Sequence, residues 1–256
     1  MTTNISDRPG VGRFLILDTE SVWDRVAYRR YLATDHDPAA PRWTTKRVVS
    51  ASLLDLRIEN GDVSHVALKS YMGGDEEQLI SQLFDELIVR PDHQLVSWGG
   101  LNQEQPVLEM AAMRQHKKLP LSLKKGERFG RYGSYRHLDL AKAMKAGSYV
   151  HLSEVAAALA LPAKCAGPAA NVERFANNEQ WKRIAEVSEI DCATTALVLI
   201  SWLGAQGQID HSLAKQATLL TRLVQQCGPT AYRDNLLEAR DLMIAEITAE
   251  AWKAAA

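Results

Sequence analysis

The stretch Arg13-Phe14-Leu15-Ile16-Leu17-Asp18-Thr19-Glu20 decides how the rest of this chain is read. Four apolar residues, bounded upstream by Gly12, run into two acids with one residue between them. The apolar run predicts a buried strand. Successive side chains on a strand alternate faces, so Asp18 and Glu20 point the same way. Two carboxylates on one face at the end of a core strand repel each other and lose hydration. A divalent cation relieves both, because hard carboxylate oxygens suit magnesium or manganese. A strand that ends in solvated acids looks the same in this stretch alone, so the decision rests on what lies downstream.

The whole chain sets the bounds. Its 256 residues, 46% of them hydrophobic, suffice for one large domain with a real core, or a domain with an appendage. Thirty basic against 31 acidic residues exclude a globally basic nucleic-acid binder, so any such surface must be local. Cys165, Cys192 and Cys227 are odd in number, lack metal-ligand spacing, and look like reduced thiols of a cytosolic protein. Met1 to Pro9 is polar and is expected to be no signal peptide. No apolar run approaches membrane-spanning length. The expectation is a soluble cytoplasmic protein with no membrane association.

Residues 21–46 read as a long loop-like insertion rich in arginine and aromatics, with Trp23, Tyr28, Tyr31 and Trp43 among them. Arg47 to Leu56 and Val63 to Tyr71 alternate as strands around the turn Glu59-Asn60-Gly61-Asp62, which predicts a hairpin. Asp75 caps a helix whose apolar stripe is Leu79, Ile80, Leu83, Phe84 and Leu87. Gln94 to Trp98 is a fourth strand ending at Gly99-Gly100, and a helix then runs to about His116. His137-Leu138-Asp139-Leu140 is a short strand passing into a helix. Leu152 to Leu161 is a helix stopped by Pro162, residues 164–173 are turn-like, and a long helix spans about Glu179 to Leu203. From Ile209 two helices follow, broken at Gly228-Pro229. The order of elements predicts a mixed α/β sheet with helices on both faces.

Residues 114–136 differ in kind. They hold eight Lys or Arg against one acid, Glu127, with Phe129, Tyr132 and Tyr135 interleaved. Lys117, Lys118, Lys124, Lys125, Arg128, Arg131, Tyr132 and Arg136 are the candidates for gripping a nucleic-acid backbone, cations on phosphates and rings on unpaired bases. A solvated basic loop would carry the same composition. The 21–46 insertion is a candidate for the opposite wall.

Three later stretches join Asp18 and Glu20: Ser97 to Leu108 with Glu104 near a helix start, His137-Leu138-Asp139-Leu140, and Glu189-Ile190-Asp191 followed by Thr194-Thr195. In this order the chain resembles the DEDD 3′–5′ exonucleases, and most closely the exonucleases related to the proofreading domain of family B DNA polymerases. The likeness covers roughly residues 12–204. Asp18-Thr19-Glu20 matches the family's Asp-x-Glu, residues 97–108 its second motif and residues 189–195 its third. Gly74 to Leu79 and the Pro162-Ala163-Lys164 tail fall in the same order.

The resemblance implies an RNase H-like mixed five-stranded sheet flanked by helices, with a C-terminal helical hairpin. It implies an N-terminal tail at 1–11, an exonuclease-like domain at 12–204 and a helical extension at 205–256. The implied activity is phosphodiester hydrolysis from the 3′ end of single-stranded nucleic acid, DNA ahead of RNA, with two Mg²⁺ or Mn²⁺ ions. Asp18 would bridge both ions. Glu20 and Asp191 would complete the one that holds the attacking water, and Glu104 would act on the second. Two departures from the pattern stand out: Glu104 is where the family has Asp, with Gly99 and Gln103 for the Asn and Phe before it, and Val187 and Glu186 are where members carry a water-orienting Tyr or His. A second reading therefore stands beside the first, a catalytically degenerate member that binds nucleic acid or a protein partner. The C-terminal helices could also mediate a protein contact or self-association. Asp139 is expected to cap the following helix, and His137 and Trp98 to pack in the core.

Overall fold

The apolar run does form a strand, but a longer one than the sequence suggests. The computed structural model describes residues 12–34, 43–124, 136–144 and 150–255. Strand β1 spans Gly12–Trp23 and pairs antiparallel with β2 (Lys46–Glu59), which pairs antiparallel with β3 (Asp62–Met72). The β2–β3 turn carries Asn60 and Gly61 at φ 53° and 81°, the left-handed pair that a tight hairpin requires.

Helix α1 (Arg25–Thr34) follows β1 directly, where the sequence suggested a loop, because Asp24 Oδ1 caps the N–H groups of Val26 and Ala27. Helix α2 (Glu76–Ile88) is capped by Asp75 and buries Leu79, Ile80, Leu83, Phe84 and Leu87. Strand β4 (Gln94–Ser97) lies parallel to β1, and helix α3 (Glu104–Arg114) follows it. Strand β5 (His137–Asp139) lies parallel to β4 and passes into α4 (Leu140–Met144). The sheet order β3-β2-β1-β4-β5 is that of the expected RNase H-like fold.

The two faces of β1 sort the layers. Leu15 and Leu17 join the core shared with α2 and α3. Phe14 and Ile16 face the other core, built on α7 (Trp181–Ala205) and reached after α5 (Leu152–Ala158) and α6 (Val172–Asn177). Asp18 and Glu20 continue the parity of Phe14 and Ile16, so they project on the α7 side. Helix α6 occupies part of the stretch expected to be turn-like.

The two C-terminal helices, α8 (Ser212–Gln226) and α9 (Arg233–Ala255), pack into that same core through Leu219, Leu220, Leu223, Tyr232 and Leu236. The Gln226 amide donates to Val66 O at 2.7 Å and accepts from Leu68 N, serving the free backbone groups of edge strand β3. Among the described residues no helix is long and apolar enough to cross a membrane.

Candidate active site

Three elements deliver the four acids. Strand β1 ends its apolar run at Asp18, and the β1–β2 register slips just after Glu20, as expected where a bulge re-aims side chains. Helix α7 brings Asp191 across from the facing layer. Glu104 opens α3, which leaves the end of β4 through a turn with Gly99 at φ 75°. A side chain at Gly100 would meet Ser97 Oγ at 2.3 Å and Glu104 Oε2 at 3.0 Å, so only glycine lets the turn bring Glu104 in.

Asp139 holds that turn in place. Its carboxylate accepts from Gly99 N at 3.0 Å and Leu101 N at 3.2 Å, as well as from Lys142 N at the start of α4. The expected cap is present, together with a brace on the Glu104 turn that the sequence did not suggest. His137 is buried with Nε2 2.8 Å from Ser97 Oγ, and burial pushes its pKa down to about 4, which keeps it neutral. Trp98 is 9% exposed and donates Nε1–H to Val150 O, yet the residue also borders the cleft.

The acids converge. One carboxylate oxygen from each of Asp18, Glu20 and Asp191 lies within 4.8 Å of the others. They line a cavity of about 150 Å³ with Glu104, Lys164, Trp98 and His151. Burial raises all four pKa values. It pushes Glu20 up to about 8, with the Asp191 charge adding to the effect, and Glu104 up to about 7. Asp18 is raised well above the usual carboxylate range by burial and by the charges of Asp191, Glu20 and Glu104. Asp191 is raised by burial against the opposing pull of Lys164. Asp18 Oδ2, Glu104 Oε2 and Asp191 Oδ1 are buried without a hydrogen-bond partner. Orphaned oxygens of this kind are costly, and a hard divalent cation is the ligand that satisfies them. The residues fit such an ion.

Sequence reasoning missed Lys164 as a member of the site. Its ammonium pairs with Asp191 Oδ2 inside the cavity and also feels Asp18 and Glu20. The backbone of Lys164 sits at φ 55°, a left-handed conformation that a lysine adopts at a cost of about 1–3 kcal/mol. The Thr194 hydroxyl lies 2.7 Å from Pro162 O, so the third-motif threonine ties down the turn that aims Lys164 at the acids. The only sequence signal was the Pro162-Ala163-Lys164 tail, and nothing in it indicates direction.

Val187 packs wholly in the core. One residue on, Ser188 Oγ lies 2.7 Å from Ser52 Oγ and 3.1 Å from Ser50 Oγ, opposite Asp18 and Glu20 in the sheet. From Ser52 the chain of hydrogen bonds continues through Ser70 and Glu189 to the Tyr232 hydroxyl at the head of α9.

Four of the basic candidates, Lys117, Lys118, Lys124 and Arg136, lie among the described residues. Lys117 pairs with Glu77 at the start of α2, and Lys118 and Lys124 are exposed. Arg136 donates to Pro91 O beside the N-terminal end of β5, away from the strand ends that carry the acids. Lys125, Arg128, Arg131 and Tyr132 lie outside the described residues.

A family model for predicted 3′–5′ exonucleases related to the exonuclease domain of PolB matches residues 41–238. The chain belongs to that family. Among solved structures, this family member is similar to the family B DNA polymerase from the hyperthermophilic archaeon Pyrobaculum calidifontis. That match has 15% identity and a TM-score of 0.48, covering 85% of this chain and 30% of that one. An exonuclease I in its apo form is similar at 10% identity and a TM-score of 0.46, covering 85% of this chain and 47% of that one. The chain thus spans less than half the length of either. No curated protein matches the sequence.

Proposed function

We propose that the protein is a metal-dependent 3′–5′ exonuclease acting on single-stranded DNA, with RNA second, and that residues 12–204 carry the chemistry. The convergence of Asp18, Glu20 and Asp191 with oxygens left unpartnered carries this reading. Asp18, Glu20 and Asp191 would hold one Mg²⁺ or Mn²⁺ and Asp18 with Glu104 a second. Bound there, the ions would lower the proton affinity of a water and offset charge on the leaving oxygen.

The chain's own groups do the rest. Glu20 and Asp191 offer acceptor oxygens that orient a water toward the phosphorus. Lys164, held protonated by its carboxylate neighbours, presents donors to the phosphate oxygens from inside the cavity. Trp98, His151 and Leu152 wall the cleft and limit water. The chemistry needs a free 3′ end among acids recessed in this cleft, which favours an unpaired terminus.

One observation favours a second reading. Lys164 already gives Asp191 a cation, so a degenerate site could keep its acids without metal and only bind a strand or a protein partner. A 5′-labelled single-stranded DNA oligomer incubated with Mn²⁺ or Mg²⁺ separates the two. The expected result is a ladder shortening from the 3′ end that needs metal and vanishes in Asp18→Ala. Wild type inert on both DNA and RNA would leave the binding reading.

A further inference from the structure

The surface just beyond Glu20 has a composition that the acid site does not explain. Strand β1 continues past the acids to Trp23, about 10 Å further on. Helix α1 then presents Arg25, Arg29 and Arg30, all exposed, with no acid in the helix and no buried residue. Arg25 and Arg29 stand one turn apart and repel, a small cost of about 0.2–0.5 kcal/mol. Among the described residues no acid pairs with any of the three. Two acids at the head of α1 are already engaged: Asp24 caps the helix, and Glu173 accepts from Trp23 N.

Aromatic faces flank these cations. Trp23 is 38% exposed with Lys46 Nζ 5.1 Å from its ring centroid, and Trp43 is 42% exposed. Asp24 N–H donates to Thr45 O at 2.7 Å, which ties the turn carrying Trp43 to the head of α1. Cations with interleaved exposed rings are what a single-stranded nucleic acid uses, phosphates on the charges and bases on the rings.

We infer that α1 with Trp23, Trp43 and Lys46 is the surface that receives the single strand behind the terminal nucleotide held at the acid site. Continuity along β1 argues for this occupant, because a strand leaving the cavity past Glu20 meets Trp23 next. A lipid surface fits less well. The exposed apolar residues of α1, Val26 and Leu32, lie about 120° apart around the helix and form no stripe. The inference rests on the exonuclease reading for its direction, yet its binding arm can be read without any cleavage.

The test is fluorescence anisotropy of 5′-fluorescein oligo-dT and oligo-U against wild type and an Arg25→Gln/Arg29→Gln/Arg30→Gln variant over a series of salt concentrations. The variant should bind at least about tenfold more weakly. Its slope of log affinity on log salt should be shallower by about 2, roughly 0.7 for each phosphate no longer neutralised. Arg→Lys at the same three positions should keep the affinity within about threefold, which guards against a folding artefact. Trp43→Ala should weaken binding about fivefold or more without changing the salt slope. Hydrolysis of the p-nitrophenyl ester of thymidine 5′-monophosphate, which needs the acid site alone, should be unaltered in the Gln variant.

Unchanged oligomer affinity in the Gln variant would overturn the inference, as would binding to phosphatidylserine vesicles in place of oligomers. Wild type that binds oligomers through α1 but cleaves neither oligomer nor ester would overturn only the exonuclease reading.

Discussion

Asp55 and Asp18 stand on neighbouring strands, three residues apart along the paired register, in opposite electrostatic surroundings. Asp55 points to the α2 side and is met by Arg57 at 3.1 Å, His93 at 3.3 Å and Arg90 at 3.4 Å. Burial alone would raise its pKa, but hydrogen bonds from His93 and Arg57 outweigh it and hold the carboxyl well below the usual range. Asp18 points to the α7 side among three other acids, keeps one oxygen unpartnered, and is pushed the other way. A paired buried acid contributes to stability. A cluster of acids with oxygens left unpartnered is retained against stability, and such sites are where function concentrates.

Substitutions can break the comparison. Asp18→Ala should cut oligomer hydrolysis by more than about 10³-fold, since even groups that only orient metal ligands are worth 10–100-fold. Asp55→Ala should leave turnover per folded molecule within a few-fold, measured by initial rates at saturating metal. Equal losses in the two would mean that the acids of the cleft play no special part. Saturating Mn²⁺, at about 100 times its dissociation constant, should stabilise wild type by about 2.7 kcal/mol in thermal or urea melts. Asp55→Asn should keep that gain and Asp18→Ala should lose most of it.

Without metal the order reverses. Asp55→Asn should cost about 2 kcal/mol through its charged hydrogen bonds, about 4–8 °C in melting temperature. Asp18→Asn should raise the melting temperature by relieving repulsion. Glu104→Asp restores the residue type common in the family but shortens a side chain that the Gly99–Gly100 turn places for glutamate. It should lower the rate about tenfold, and a gain in rate would show the turn to be adjustable.

The same contrast extends to pH. Folded Glu20 and Glu104 hold protons up to about 8 and about 7, while unfolded carboxylates release theirs near pH 4. The folded state therefore binds more protons in that window, and metal-free stability should fall as pH rises through it. Asp55 acts with the opposite sign. Its contribution is full above about pH 4 and is lost as pH falls further. Melting temperatures of metal-free wild type, Glu20→Gln and Asp55→Asn across pH 3–9 should show Glu20→Gln flattening the upper limb and Asp55→Asn the lower one.

The sequence by itself determined the strands and most helices, because periodicity, turn glycines and caps are local: the Asn60-Gly61 hairpin, the Asp75 cap and the stripe of α2 all stand in the chain. It also determined that Asp18 and Glu20 share a face, since strand parity needs no partner. Local signals mislead where two states are close in composition, and 25–34 reads as loop because its one clear helix marker, the Asp24 cap, sits among arginines and aromatics. Only the tertiary structure decided that Asp191 and Glu104 reach Asp18, that Lys164 aims its ammonium into their midst, and that Asp139 braces the Glu104 turn. It also placed the C-terminal helices against the β3 edge and in the core shared with α7. These facts depend on which faces of distant elements are packed together, and on the charge and desolvation that packing creates. A string of residues carries neither until it is folded.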